Sequence, residues 1–116
     1  MTFATVRTIG LRLSGVEEST MYGSPALKLK GRMLVCIAVH KSAEPNTLIV
    51  RTTFEERDQL IAEQPDIYYV KDHYLTFPVV LVRLPRVSLD AMRDLLGGAY
   101  RLVSAEKAKR PSPRRR

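Results

Sequence analysis

The sequence predicts an α+β fold, a two-layer α/β sandwich in which helices cover a five-stranded antiparallel sheet. Two observations carry the sheet: five runs have strand character, and the turns that connect several of them are short and marked by Gly or Pro. A third carries the class. The elements fall in the order α-β3-α-β2-α, without the strict β-α alternation that a parallel sheet requires.

Phe3, Val6, Ile9 and Leu13 recur at helical spacing, which predicts an amphipathic helix over residues 2–13 that ends at Ser14-Gly15. After the segment 16–20, Tyr22-Gly23-Ser24-Pro25 reads as a turn into Ala26–Lys30. There Leu27 and Leu29 alternate with Lys28 and Lys30, the pattern of a half-buried strand. Gly31-Arg32 turns into Met33–Val39, an unbroken apolar run expected at the centre of the sheet with both faces covered. Pro45-Asn46 marks the next turn, and 47–51 returns as the third strand. Thr53 with Glu56 three residues on is a capping box, so a helix is expected over 54–63. Residues 67–70 and 79–84 read as the last two strands, across the polar loop Lys71–Pro78. Ser88 caps a final helix with a stripe of Leu89, Met92, Leu96, Ala99 and Val103, weakened by Gly97-Gly98.

At 116 residues the chain has room for one core. The apolar fraction of 45% and charged fraction of 27% are those of a folded domain. No run approaches the ~20 apolar residues of a membrane span, and no export signal opens the chain. The single Cys36 forms no internal disulfide, so a cytoplasmic location is expected. The formal charge of +7 is uneven: residues 104–116 carry +5, and the rest carries +2. The expected boundaries are a domain at 1–105 and a basic, disordered tail at 106–116, where Pro111 and Pro113 oppose a helix.

No catalytic constellation is evident. Cys36 lies in the most apolar strand, where a thiolate is poorly solvated, and is expected in the core. His40 reads as a solvated residue at a strand end. Glu17-Glu18 reads as a solvated pair. A lone Cys without a Cys/His cluster excludes the usual structural zinc sites, and both GxGxxG and GxxxxGK[ST] are absent. Neither a metal nor a cofactor is expected. The densest chemistry is the 71–78 loop, where Asp72 and His73 can exchange hydrogen bonds and Tyr74 and Phe77 can stack; Tyr22 adds aromatic surface.

Five segments, Gly15–Ser19, Tyr22–Ala26 with Lys28, Phe54–Asp58, Asp72–Tyr74 and Val80–Leu84, together resemble the MmcQ/YjbR-like family of small bacterial proteins over residues 2–105. The resemblance implies the same element order, in a fold likened to frataxin and to secretion chaperones. It also implies DNA binding, the label its members commonly carry. Leu27 stands where the family often has Phe, and Thr76 where Gly is common.

Three functions follow as expectations. A nucleic-acid-binding module would use Lys28, Lys30, Arg32 and Lys71 with Arg110, Arg114, Arg115 and Arg116 of the tail. Its binding would be weak and insensitive to sequence, because phosphate contacts carry no base information. A protein-binding or chaperone-like adaptor would expose an apolar patch. A small-molecule-binding domain would need Tyr22, Asp72, His73 and Tyr74 to converge on a cleft.

Overall fold

Two Xaa-Gly pairs set the start of the sheet. Tyr22-Gly23 (φ 55° and 79°) and Lys30-Gly31 (φ 50° and 84°) hold positive φ at successive residues. That is the signature of type I′ hairpins, whose twist matches the strands they join. The computed structural model describes residues 1–109. In it the first hairpin links β1 (Val16–Met21) to β2 (Ser24–Leu29), and the second links β2 to β3 (Arg32–Ile37). With β4 (Thr47–Arg51), β5 (Tyr68–Tyr69) and β6 (Val79–Arg83), the sheet runs β1-β2-β3-β4-β6-β5, antiparallel throughout.

The sheet thus has six strands, not five. The added strand is β1, whose Glu17, Glu18 and Thr20 are exposed, so it lacks the apolar alternation that marks a strand in a sequence. It forms because its backbone pairs with β2 from Val16↔Leu29 to Met21↔Ser24.

Three helices, α1 (Phe3–Gly10), α2 (Phe54–Glu63) and α3 (Leu89–Lys109), lie on one face of the sheet. The core on that side joins Val6, Leu27, Leu34, Val50, Val82, Met92 and Leu96, with Leu60 and Ile61 of α2 packed against it. Pairing slips between β2 and β3. Leu27 opposes Val35 but Lys28 opposes Met33, which leaves Leu34 as a β-bulge. Leu34 and Val35 therefore both join the helix-side core, while Met33 and Cys36 face the other way. This resolves the unbroken apolar run: the strand feeds two separate cores, and Cys36 is fully buried in the second.

The helix ends follow local chemistry. Thr53 accepts the Glu56 N–H at 3.0 Å, as the cap predicts. α1 stops at Gly10 and tightens into i→i−3 bonds over Arg12 and Leu13, short of the expected end. α3 runs unbroken through Gly97-Gly98, its buried Leu96, Ala99 and Val103 outweighing the glycine cost of ~1 kcal/mol each. It also continues to Lys109, past the boundary expected at residue 105. Glu106, on that added stretch, is ion-paired with both Arg51 and Arg32.

Gly10 is where α1 meets β2. A Cβ there would lie 2.3 Å from Leu27 Cδ1, and Leu27 is fully buried. Gly10→Ala therefore overpacks the helix-side core. A loss of about 1–3 kcal/mol in urea unfolding is expected, against the gain that Gly→Ala usually brings to a helix.

Candidate functional site

The face of the sheet opposite the helices carries its own apolar residues. Ala26, Cys36, Ile49, Val79 and Leu81 form a second buried cluster with Tyr69 and Tyr74, and Met21, Met33 and Ala43 pack against it. Among the described residues no helix covers this cluster. Two loops do: the β3–β4 connection around His40, and the β5–β6 connection, which contains a 3₁₀ turn over Asp72–Tyr74. They leave between them a groove of about 770 Å³. Its floor is Met21, Met33, Cys36, Ile49 and Val79, and its walls carry Tyr22, His40, Lys41, His73, Tyr74 and Phe77.

Each loop is fixed by an arginine. Arg57 of α2, only 5% exposed, donates from Nη1 to the carbonyls of Phe77 (3.0 Å) and Val79 (3.3 Å), and from Nη2 to that of Leu75 (3.1 Å). It thus satisfies the backbone of the stretch that enters β6, and its guanidinium lies 5.0 Å from the Phe54 ring centroid. Arg83 grips Glu44 with two bonds of 2.8 and 2.7 Å, and donates to the Pro65 carbonyl at 2.9 Å. This pairing holds the Glu44 carboxyl below the usual carboxylate range. The Arg83 guanidinium also stacks 4.3 Å from the Tyr69 ring, whose hydroxyl lies 2.6 Å from Thr47 Oγ1 and accepts the Glu44 N–H at 2.9 Å.

The two loops meet at the groove through stacked imidazoles. His40 and His73 have centroids 3.6 Å apart and planes 9° from parallel. Tyr74 stands edge-on to His73 at 4.8 Å and to His40 at 6.2 Å. His40 Nδ1 accepts the Ser42 N–H at 3.1 Å and lies 2.8 Å from Ser42 Oγ. A nitrogen that accepts from an amide carries no hydrogen, so the neutral ring is protonated at Nε2. Desolvation lowers the His40 pKa below its ordinary value, and the neighbouring His73 and Lys41 add to the effect. Burial pushes the Cys36 thiol up to about 11, with Lys28 acting in the opposite sense. At neutral pH that sulfur is a protonated part of the floor, not a nucleophile.

Tyr22 combines two unusual properties. It is 79% exposed, and it sits at φ 55°, where a bulky side chain is strained. Local conformation does not favour tyrosine there, but the groove wall uses it.

Of the four residues expected to form a cleft, Tyr22, His73 and Tyr74 line the groove, and Asp72 does not. The basic residues do not gather. Lys28 is on the groove side of β2, opposite Glu17, and Lys30 is at the hairpin tip. Arg32 bonds to Glu106 at 3.4 Å. Lys71 is at the far edge of the sheet beside the Tyr69 ring. Arg110, Arg114, Arg115 and Arg116 lie outside the described residues. His40, expected to be a solvated strand end, is instead half-buried in the stack. No sequence signal ties it to His73, which lies on another loop. Among the described residues no cluster of three or more metal-ligating side chains occurs, and no helix is long and apolar enough to cross a membrane.

Three outcomes follow from this geometry. The His40 midpoint, followed by its ring proton resonances, is expected below 6.5, and His73→Asn should move it back towards 6.5. Because the fold depresses a base, the stability His40 contributes is present above pH 6.5 and is lost as pH falls through the folded midpoint, which Tm measured from pH 7 to 5 will read. For Tyr22→Asn, a gain of about 0.5–1 kcal/mol in unfolding free energy is expected, because Asn tolerates the left-handed region better.

The comparisons bear on fold and family. The crystal structure of the Deinococcus radiodurans protein DR2400, which carries the domain designation DUF419, superposes with a TM-score of 0.76 at 23% identity. The match covers 94% of this chain and 85% of that one, and at such identity it speaks for the fold alone. No curated protein matches the chain. The YjbR family model matches residues 11–102, a span that includes all six strands, α2 and most of α3. The chain belongs to the YjbR family.

Proposed function

We propose that this chain is a small-molecule-binding domain whose ligand lies in the groove on the open face of the sheet. The observation that carries this reading is convergence. Tyr22, His73 and Tyr74 come from two separate segments and line one groove with an apolar floor. A volume of about 770 Å³ falls within the range of drug-sized ligand sites. The strained Tyr22 at the rim supports the same reading, since backbone strain concentrates at sites of function. The domain acts by binding rather than by thiol chemistry, because Cys36 is held protonated.

The nucleic-acid reading draws its support from the family label and from the tail. A polyanion surface needs unpaired cations side by side. Here Glu17 opposes Lys28, and Glu106 sits between Arg32 and Arg51. Any such binding is expected to draw mainly on the basic residues beyond Lys109, with a lesser share from scattered lysines such as Lys30 and Lys71.

The test is a 15N-NMR titration of the full chain with a panel of small apolar and aromatic compounds, and separately with a short DNA duplex. Binders from the panel should shift the amides of Cys36, Ile49, His40 and Tyr74. Met33→Trp, which adds bulk at a half-buried position of the floor, should weaken them by about ten-fold or more, a loss of ~1.4 kcal/mol. Truncation after Lys109 should leave them unchanged and greatly weaken any shifts caused by DNA. If no compound moves the groove amides while DNA moves those of Lys28, Lys30 and Arg32 in the truncated chain, the groove reading is wrong.

A further inference from the structure

The groove differs in charge along its length. Among the described residues no acidic side chain lines it, whereas His40, Lys41, His73 and Arg51 do. These groups are not equivalent. Arg51, at the end of β4, already has a carboxylate partner in Glu106 of α3, which it shares with Arg32. Lys41, at the opposite end, is exposed and has no acidic partner within 4 Å among the described residues. Beside it stand His40 Nε2, the ring position left free by the Ser42 contacts, and the stacked His73.

Between these ends the floor carries no charge. Along β3 it runs from Met33 to Cys36, about 10 Å at the rise of a β-strand, and it is built of thioether, thiol and aliphatic groups. An apolar body is stabilised there by leaving water. Burying a cation on that floor would carry a large desolvation cost, with no carboxylate to offset it.

Resting on the binding reading above, we infer that the groove takes an apolar molecule bearing one anionic group. Its carboxylate or sulfonate lies at Lys41 and the His40–His73 pair, and its body lies along Cys36, Ile49 and Met33. The charge separates this class from neutral and cationic molecules of the same shape. The Lys41 ammonium forms a charge-assisted hydrogen bond with the anion, and a ligand amine would meet like charge at both ends of the groove.

Three probes with one alkyl chain test this: decanoate, 1-decanol and decylammonium, titrated below their micelle thresholds into the full chain by NMR. Decanoate is expected to bind about ten-fold more tightly than 1-decanol, as a charge-assisted hydrogen bond predicts, and decylammonium most weakly. Lys41→Glu alters an exposed side chain, so Tm should hold. Decanoate should then fall to or below the affinity of 1-decanol, and by a much larger factor than 1-decanol itself changes. If 1-decanol and decanoate bind equally at the groove amides, or if Lys41→Glu leaves decanoate untouched, the anionic class is wrong and the groove reading survives. If decanoate moves only Thr5, Thr8, Arg12 and Arg93, which line a smaller cavity between α1 and α3, the inference fails on location. If none of the three probes binds, the inference falls together with the groove reading for this chemistry.

Discussion

The sheet has two apolar faces, and α1, α2 and α3 are all spent on one of them. Everything distinctive about the molecule follows from how the other face is handled. α1, α2 and α3 close over Leu34, Val50 and Val82, while Cys36, Ile49 and Leu81 point away from every helix. Two irregular loops cover that second cluster in part. A loop cannot cover an apolar face as a helix does, because its backbone groups need partners of their own. Two arginines anchor the loops. Arg57 reaches from α2 to the carbonyls of Leu75, Phe77 and Val79, and Arg83 holds the other loop by the Glu44 carboxylate while bonding the Pro65 carbonyl and stacking on Tyr69.

This explains why a concave surface persists on so small a domain. The loops are held at their bases by charge-assisted bonds and touch each other through the His40–His73 stack, so the space between them is defined without being filled. The β2–β3 bulge contributes from beneath. By placing Leu34 on the helix side, it lets Met33 and Cys36 keep their positions on the groove floor without thinning the main core.

Much of the fold was legible because it obeys local rules. Thr53 and Glu56 announced α2, the Leu27/Leu29 alternation announced β2, and the stripe from Met92 to Val103 announced α3 despite two glycines. β1 was not legible by hydrophobic pattern, since an edge strand with one buried residue carries almost none. The readable clue was the pair of two-residue Xaa-Gly hairpins, with Tyr and Lys standing where Asn or Asp is usual. The site divides in the same way. Tyr22, His73 and Tyr74 stood out for their chemistry, yet His40, Met21 and Arg51 reach the groove only through long-range pairing. The clamp made by Arg57 was hidden for a related reason: its partners are main-chain carbonyls 18 to 22 positions away, and carbonyls have no letter in a sequence.

The groove floor has a chemical consequence beyond its shape. Three of its side chains, Met21, Met33 and Cys36, carry sulfur, and they differ in exposure to oxidants. The buried thiol, pushed up to about 11, offers almost no thiolate to peroxide at neutral pH. The two thioethers are half-buried and need no deprotonation to react. Oxidation therefore falls on methionine before cysteine, and each sulfoxide replaces an apolar stretch of floor with a strong hydrogen-bond acceptor. The surface that would hold an apolar ligand is thus also sensitive to redox conditions, and methionine sulfoxide reductases could restore it.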